Sequence, residues 1–388
     1  MLPTSGFKIG RVLGIDIVIN FTWLLILFFV AISLGDLFRI TYEETWVAGQ
    51  PVTTYFPSGA WPWVAGAVTA LVFFACLLLH ELAHSLVAKR NGIGIRRITL
   101  FLFGGVAEMR EDVSDAGVEF RMAAAGPLAS FLLAGAFYGL YRLSNSLGAG
   151  LVIVVPLYYL AVINALVGAF NLLPGFPLDG GRVLRALLWK VTGDMRKATK
   201  AASISGRVIA ALIAAVGAYA VLIGDYFGGF WLILIGGFIY GLSQASYRQT
   251  LFRLAASGTV VADIMYTDVP VVDARTTLSS LRDNYFAAYR LPAFPVAERG
   301  HAWGIVTRED MASVSPAEWD LLDVGRIARP LEPDQSVPPG TGLDKIVKPL
   351  LGNRPFLMVM DEGRVHGVIT KEELLRYVEM RSKHLEGK

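Results

Sequence analysis

Long apolar stretches dominate the first 250 residues of the chain. Six of them approach or exceed the roughly 20 residues that a helix needs to cross the hydrocarbon core of a bilayer. They lie at about 17–35, 61–88, 120–141, 150–175, 206–224 and 227–246. No charged residue occurs between Arg142 and Asp179. This pattern predicts a polytopic α-helical membrane protein with six transmembrane helices.

The character of the chain changes after about residue 255, where charges become frequent and no apolar run is long enough to span a bilayer. An internal repeat appears there at an offset of 63 residues, most clearly between Gly304–Asp310 and Gly367–Glu373. Each copy has short apolar strands that lead into an amphipathic helix, so we expect a paired α/β module.

Composition supports the membrane assignment. Hydrophobic residues make up 54% of the chain and charged residues 17%, whereas a typical soluble protein has about 25% charged residues. The net charge is only +3, and the basic residues cluster beside apolar spans, so we do not expect nucleic-acid binding. The single cysteine excludes an internal disulfide framework.

The positions of Lys and Arg predict the orientation. Basic clusters follow the second, fourth and sixth spans, whereas the opposite loops carry mainly Arg39 and Arg142. The positive-inside rule therefore predicts a multi-pass cell-membrane protein with both termini in the cytoplasm and an external loop at 36–61.

Ionisable side chains stand at the end of the second span, in the pentapeptide His80-Glu81-Leu82-Ala83-His84. Such groups are costly in hydrocarbon and point to a functional site. The H-E-x-x-H spacing places both imidazoles on one helix face, where they can share a zinc ion with Glu81 beside it as a general base. Because His84 is five residues before Lys89, the ion would lie inside the membrane, roughly 7–8 Å from its cytoplasmic edge.

Catalytic zinc usually has three protein ligands, and Asp179 is the candidate for the third. It follows the uncharged fourth span within the segment 171–182, N-L-L-P-G-F-P-L-D-G-G-R, whose prolines and glycines interrupt the helix. Irregular backbone is tolerated at membrane depth where protein or a water-filled cavity covers it. Asp179 could instead cap a helix or pair with Arg182. Asn171 could bind the freed backbone or a substrate.

The combination of H-E-L-A-H on one span and N-L-L-P-x-x-P-L-D-G-G on a later one resembles the site-2 protease family, the intramembrane zinc metalloproteases of peptidase family M50. The resemblance covers roughly residues 1–250. It implies that one Zn²⁺ ion is bound by His80, His84 and Asp179 and that Glu81 activates water.

Two further segments resemble features of that family. Residues 98–109, with Gly104 and Gly105, resemble a membrane-dipping hairpin whose free edge holds the substrate extended; a strand that merely packs is the alternative. Asn171 is a candidate for binding substrate or the oxyanion. Residues 125–130 resemble a Gly-Pro element of the third span. A contact between small residues of packed helices explains that element equally well, and we assign Ser130 no catalytic role.

The 63-residue repeat resembles a tandem pair of CBS domains, at 255–318 and 319–381. In members of that family that bind ATP, ADP or AMP, a threonine and an acidic residue contact the nucleotide. The corresponding residues are Thr307 and Asp310 in the first copy and Thr370 and Glu373 in the second. A structural or dimerising role, with a homodimer formed through the pair, is the alternative.

The sequence therefore predicts six transmembrane helices with a small membrane-associated β-hairpin, followed by a cytoplasmic α/β CBS pair. The function expected is an intramembrane zinc endopeptidase that cuts a membrane protein, one with a single span, near the cytoplasmic face in regulated intramembrane proteolysis. The rival interpretations are a CBS-gated transporter or channel and an inactive relative that binds membrane proteins without cutting them.

Overall fold

The computed structural model describes residues 6–47, 50–101, 104–109, 113–289, 291–298, 301–352, 354 and 356–386. The chain divides into two compact units, residues 1–247 and 248–388.

Seven helices make up most of the first unit. They are α1 (Phe21–Arg39), α2 (Trp61–Arg90), α3 (Ala116–Ser146), α4 (Leu151–Asn171), α5 (Asp179–Thr192), α6 (Met195–Leu222) and α7 (Tyr226–Ala256), the last of which continues into the second unit. All of these except α5 are long and apolar enough to cross a membrane, which gives six candidate spans among the described residues. The expected polytopic architecture is confirmed, and the chain is an integral membrane protein.

The start of the first predicted span is wrong. Residues 17–20 belong to strand β2 (Ile15–Asn20), which pairs with β1 (Gly6–Val12) in an antiparallel hairpin. Ile15, Ile17 and Ile19 alternate into a buried cluster, so the apolar run begins as a strand with a two-residue period. The helix starts only at Phe21, where the Asn20 side chain accepts a hydrogen bond from the Thr22 N–H and caps the first turn.

The predicted end of the fourth span is also wrong, because α4 stops at Asn171 and not at 175. Pro174 has no N–H for a helical hydrogen bond, and it stands with Gly175 and Pro177 in a segment whose composition favours a turn over a further helical turn. The segment 36–61, expected as a loop, contains a second hairpin formed by β3 (Tyr42–Val47) and β4 (Gln50–Tyr55).

The strands β5 (Ile95–Phe101) and β6 (Gly104–Met109) form the hairpin expected at 98–109, with residues 102–103 outside the described part of the chain. They join β1 and β2 in one four-stranded sheet with the order β1-β2-β5-β6, in which β2 and β5 are parallel. The strand β6 is therefore an edge strand, and its outer side is not paired with any described strand.

The second unit contains two copies of one α/β motif. The first copy has β7 (Val272–Asp273), α8 (Leu278–Ser280), β8 (Ala293–Glu298), β9 (His301–Thr307) and α9 (Arg308–Ala312), followed by β10 (Arg329–Pro330). The second has β11 (Ser336–Val337), α10 (Leu343–Leu351), β12 (Phe356–Asp361), β13 (Arg364–Thr370) and α11 (Lys371–Glu386). In each copy a short parallel strand and an antiparallel hairpin form a sheet.

The copies agree in detail. A bulge interrupts the β8–β9 pairing between Val296 and Ala297, and a bulge interrupts the β12–β13 pairing between Val359 and Met360, which are 63 positions further along. Separate hydrophobic clusters fill the two halves, one around Phe294 and one around Leu357. The repeat in the sequence is thus a repeat of backbone structure.

Candidate active site

Three side chains from two distant segments converge inside the first unit. His80 Nε2 and His84 Nε2 each lie 3.1 Å from Asp179 Oδ2, and the two nitrogens lie 3.2 Å apart. His80 is 4% exposed and His84 is 8% exposed, so the group is shielded from bulk solvent. Among the described residues, these three side chains are the one group of His, Cys, Asp or Glu residues with three ligand atoms close enough together to hold a metal ion.

The histidines converge because they are one turn apart on α2, near its basic C-terminal end at Lys89 and Arg90. Asp179 reaches them because the chain reverses direction after α4 and starts α5 at that residue. The first turn of a helix favours a carboxylate electrostatically. Arg182, the alternative partner, instead contributes an ion pair to Glu119 of α3.

The glycines after Asp179 permit this reversal. A Cβ atom at Gly180 or Gly181 would lie within 3 Å of backbone atoms of the segment 172–176. The first turn of α5 therefore packs directly against the main chain of the preceding loop, and the D-G-G sequence fixes where the carboxylate stands.

The other nitrogen of each histidine is held by α3. His84 Nδ1 lies 2.6 Å from the Met122 carbonyl oxygen, and His80 Nδ1 lies 2.9 Å from Ser130 Oγ. A carbonyl oxygen only accepts, so His84 donates its Nδ1 proton, and in the neutral imidazole its Nε2 lone pair faces His80 and Asp179. Metal-binding histidines are commonly oriented by such contacts.

The donor set fits a zinc ion. Bonds of roughly 2.0–2.1 Å in tetrahedral geometry place ligand atoms about 3.3–3.4 Å apart, close to the separations of 3.1 to 3.2 Å found here. Lone pairs and a carboxylate oxygen that point at one another repel unless a proton or a metal ion lies between them. Two imidazoles and one carboxylate also match a known ligand set of catalytic zinc.

Glu81 lies between the two histidines in the sequence and contacts the edge strand β6. A Cβ atom at Gly105 would lie 2.9 Å from Glu81 Cδ and 3.2 Å from its Oε1. Within the described residues no hydrogen bond or ion pair engages the Glu81 carboxylate, which leaves it able to accept a proton. The absent side chain at Gly105 thus makes room for the acidic group beside the edge of the sheet.

The remaining predicted residues of this unit are less closely tied to the group. Asn171 is the last residue of α4 and is half-buried. No described contact joins it to Glu81 or to the three converging side chains. Gly104 is the first residue of β6 and pairs with Phe101.

Sequence reasoning missed the supporting residues on α3. A Cβ atom at Gly126 would lie 2.6 Å from His80 Nε2 and closer still to His84, so only glycine leaves space for both imidazoles. Ser130 contacts His80, although we expected no catalytic part for it. The buried carboxylate of Glu119 stands just before the predicted third span at 120–141 and was overlooked.

In the second unit the predicted nucleotide residues make local helix caps. Thr307 and Asp310 form a capping box at the start of α9, and Arg329 pairs with Asp310 at 2.8 Å. Thr370 and Glu373 make the same reciprocal contacts at the start of α11. The T-x-x-D/E pattern is therefore accounted for by capping in both copies.

Comparisons with known proteins agree with this description. A model of peptidase family M50 matches residues 68–147 and 142–216, and a CBS-domain model matches residues 261–316. The Mycobacterium tuberculosis protein named "Putative zinc metalloprotease Rip3" is 32% identical over 379 residues, 97% of this chain and 93% of that protein.

Two archaeal comparisons are more distant. "Zinc metalloprotease MJ0392" of Methanocaldococcus jannaschii is 29% identical over 310 residues, 80% of this chain and 84% of that protein. The solved site-2 protease from the same organism is 29% identical with a TM-score of 0.42, covering 63% of this chain and 95% of its own. The chain is 32% identical to Rip3 over nearly its whole length, and the family model matches it as well. The chain therefore belongs to peptidase family M50, the site-2 protease family.

Proposed function

We propose that this chain is an intramembrane zinc endopeptidase that hydrolyses a peptide bond of a membrane-embedded protein near the cytoplasmic face. The observation that carries the proposal is the convergence of His80, His84 and Asp179 next to an unengaged Glu81, with both histidines and Glu81 on α2, a helix that is apolar enough to span a membrane. Ionisable groups are costly inside a bilayer, so their presence there indicates a functional site.

His80, His84 and Asp179 would hold the zinc ion. When bound, zinc polarises the scissile carbonyl and lowers the pKa of water toward ~7. Glu81 accepts the proton of the attacking water and then delivers it to the leaving amine. The Met122 carbonyl and the Ser130 hydroxyl on α3 keep both imidazoles oriented during these proton transfers.

The edge strand β6 supplies a place for the substrate. A peptide bond in a helix must be unwound before water can attack it, and an unpaired strand edge can hold the unwound segment extended by main-chain hydrogen bonds. Gly104 and Gly105 lie on this strand, and Gly105 contacts Glu81, so an added strand would pass close to the general base. Asn171 is the candidate for a further contact to the substrate or the oxyanion.

The distribution of basic residues supports an orientation with both termini in the cytoplasm. In that orientation the site lies toward the cytoplasmic side of the bilayer. The substrate would be a single-span membrane protein from which a cytoplasmic segment is released.

The test is Glu81→Gln in purified protein reconstituted into liposomes with a tagged single-span substrate. The amide cannot accept the proton, so we expect the cleavage rate to fall by about 10²–10⁴-fold. Zinc content, measured by atomic absorption, should stay near one ion per chain because Glu81 is not a ligand.

Alanine at His80, His84 or Asp179 should instead weaken zinc binding strongly, which separates ligands from base. Full cleavage by the Glu81 variant would refute the mechanism. A wild type that binds zinc without cutting any single-span substrate would favour the inactive relative. A transporter or channel would need polar residues along several spans, whereas the buried ionisable side chains of the described spans, His80, His84 and Glu119, lie on α2 and α3 and contact the first two turns of α5.

For the second unit we propose a regulatory CBS pair that takes an adenine nucleotide and contributes to a homodimer. Support comes from the CBS-domain match at 261–316 and from the duplicated backbone. Calorimetric titration of the full-length protein with ATP, ADP and AMP tests the nucleotide. The absence of heat with all three would leave Thr307, Asp310, Thr370 and Glu373 with capping as their role.

A further inference from the structure

A buried acidic side chain lies close to the proposed zinc site and has no part in the mechanism above. Glu119, in the first turn of α3, is 0% exposed. Its Oε1 accepts a hydrogen bond from Arg185 Nε at 2.8 Å and a second from Arg185 Nη2. Arg182 Nε lies 3.8 Å from the same oxygen. Both arginines belong to α5, the helix that begins with Asp179.

Glu119 shares a helix face with the groups that orient the histidines. Met122, Gly126 and Ser130 follow it at intervals of three and four residues, which places all four on one side of α3. Met122 and Ser130 contact the Nδ1 atoms of the two histidines, and Gly126 leaves space for both rings. Glu119 extends the same face to the helix that carries the third predicted ligand.

The contact restrains α5 on two sides. The two-pronged geometry of Arg185 on Glu119 fixes direction as well as distance. The Arg185 guanidinium also lies over the Phe176 ring, 5.0 Å from its centre. Phe176 is in the loop that leads into Asp179. Arg185 thus connects α3, α5 and that loop.

General stability does not explain the cluster well. Burying a charged pair costs about as much desolvation energy as the attraction returns, and apolar replacements often stabilise a protein. In addition, Glu119 Oε2 is buried and has no hydrogen-bond partner among the described residues. The need to hold one part of the structure in a fixed position explains such a cluster better than a gain in stability does.

We propose that Glu119 is a positioning residue for the metal: through Arg185 and Arg182 it holds α5 so that the Asp179 carboxylate stays against the two histidines. This inference rests on the proposed zinc site. The histidines are held to α3 directly, whereas Asp179 is held to it through the Glu119 cluster. Loss of the Glu119 charge should therefore weaken zinc binding only as long as Asp179 is present.

The experiment measures zinc affinity by chelator competition in full-length protein in detergent, for wild type, E119Q, Asp179→Ala and the double variant. Changing a residue that orients a ligand typically weakens metal binding by about 10–100-fold. We expect at least a ~10-fold loss for E119Q in the wild-type background and less than a ~2-fold loss in the Asp179→Ala background. The matched control is Asp16→Asn, a carboxylate that also faces two basic side chains, Lys8 and Arg11, and it should leave zinc affinity unchanged.

Equal losses for E119Q in both backgrounds would assign Glu119 a merely structural role, and no loss in either would remove it from the site. Both results overturn the inference. Arg185→Lys is measured in the same two backgrounds. It keeps the positive charge but loses the two-pronged contact to Glu119. With this second variant the test does not depend on the folding of E119Q alone. Absence of zinc from the wild type would refute the proposed function itself and is detected in the first arm.

Discussion

At the scale of single residues, the proposed zinc site depends on atoms of α3 that hold both imidazoles in place. His80, Glu81, His84 and Asp179 stand out because ionisable groups are rare in apolar spans. The Met122 contact uses a main-chain oxygen, which any residue could supply. Gly126 and Ser130 look like ordinary small residues of a helix contact. Their segment, 125–130, resembled a family element but did not show which side chains it orients, whereas Glu119 is an acidic residue directly before the predicted third span.

Gly126→Ala tests how tightly the imidazoles are packed. The added methyl group would lie 2.6 Å from His80 Nε2, so one or both rings must turn away from Asp179. We expect loss of bound zinc and of cleavage, measured by metal analysis and the liposome assay. Gly135→Ala on the same helix is the matched control, because a Cβ atom there meets nothing within 4 Å. Normal zinc content in the Gly126 variant would show that the site tolerates the displacement.

At the scale of elements, a strand and a helix that share one apolar run cannot be separated by hydropathy. The run from Ile17 continues to Ile32 with Asn20 and Thr22 as its polar residues, so the first span was predicted to start too early. The hairpin β5–β6 was recognisable from its β-forming residues around two glycines. Its membership of a four-stranded sheet depends on the parallel pairing of β2 with β5, which are about 80 residues apart and leave no local signal.

Gly105→Ala tests the contact between the edge strand and the general base. Its methyl group would lie 2.9 Å from Glu81 Cδ and should push the carboxylate out of place. We expect zinc content near that of wild type, since no ligand is touched, and a cleavage rate lower by at least ~10-fold.

The control for that variant is Gly10→Ala on β1 of the same sheet, where a Cβ atom meets nothing within 4 Å. Equal cleavage by the two variants would separate β6 from catalysis.

At the scale of the whole molecule, the duplicated second half was predictable, because two similar stretches of sequence fold into two similar structural units. The nucleotide assignment was not, because the same Thr and acidic residues also form capping boxes. Capping accounts for this residue pattern without a nucleotide, so only a bound ligand would distinguish the two roles.

The proposed orientation is tested by cysteine labelling. The native Cys76 is buried, so exposed cysteines introduced at Thr54 and Ser257 should report separately. In intact cells, a membrane-impermeant maleimide should label Thr54→Cys, and it should label Ser257→Cys only after permeabilisation. The reverse pattern would invert the topology and place the site toward the outer face.

The separation of the ligands along the chain has a consequence for biosynthesis. His84 and Asp179 are 95 residues apart, so at ~5–20 residues per second the ribosome adds the carboxylate roughly 5–20 s after the second imidazole. By the end of that interval α3, which receives α5, has been made, but the site still has only two of its three protein ligands. On the proposed assignment, a half-synthesised chain therefore has an incomplete zinc site and is chemically unable to cut another membrane segment.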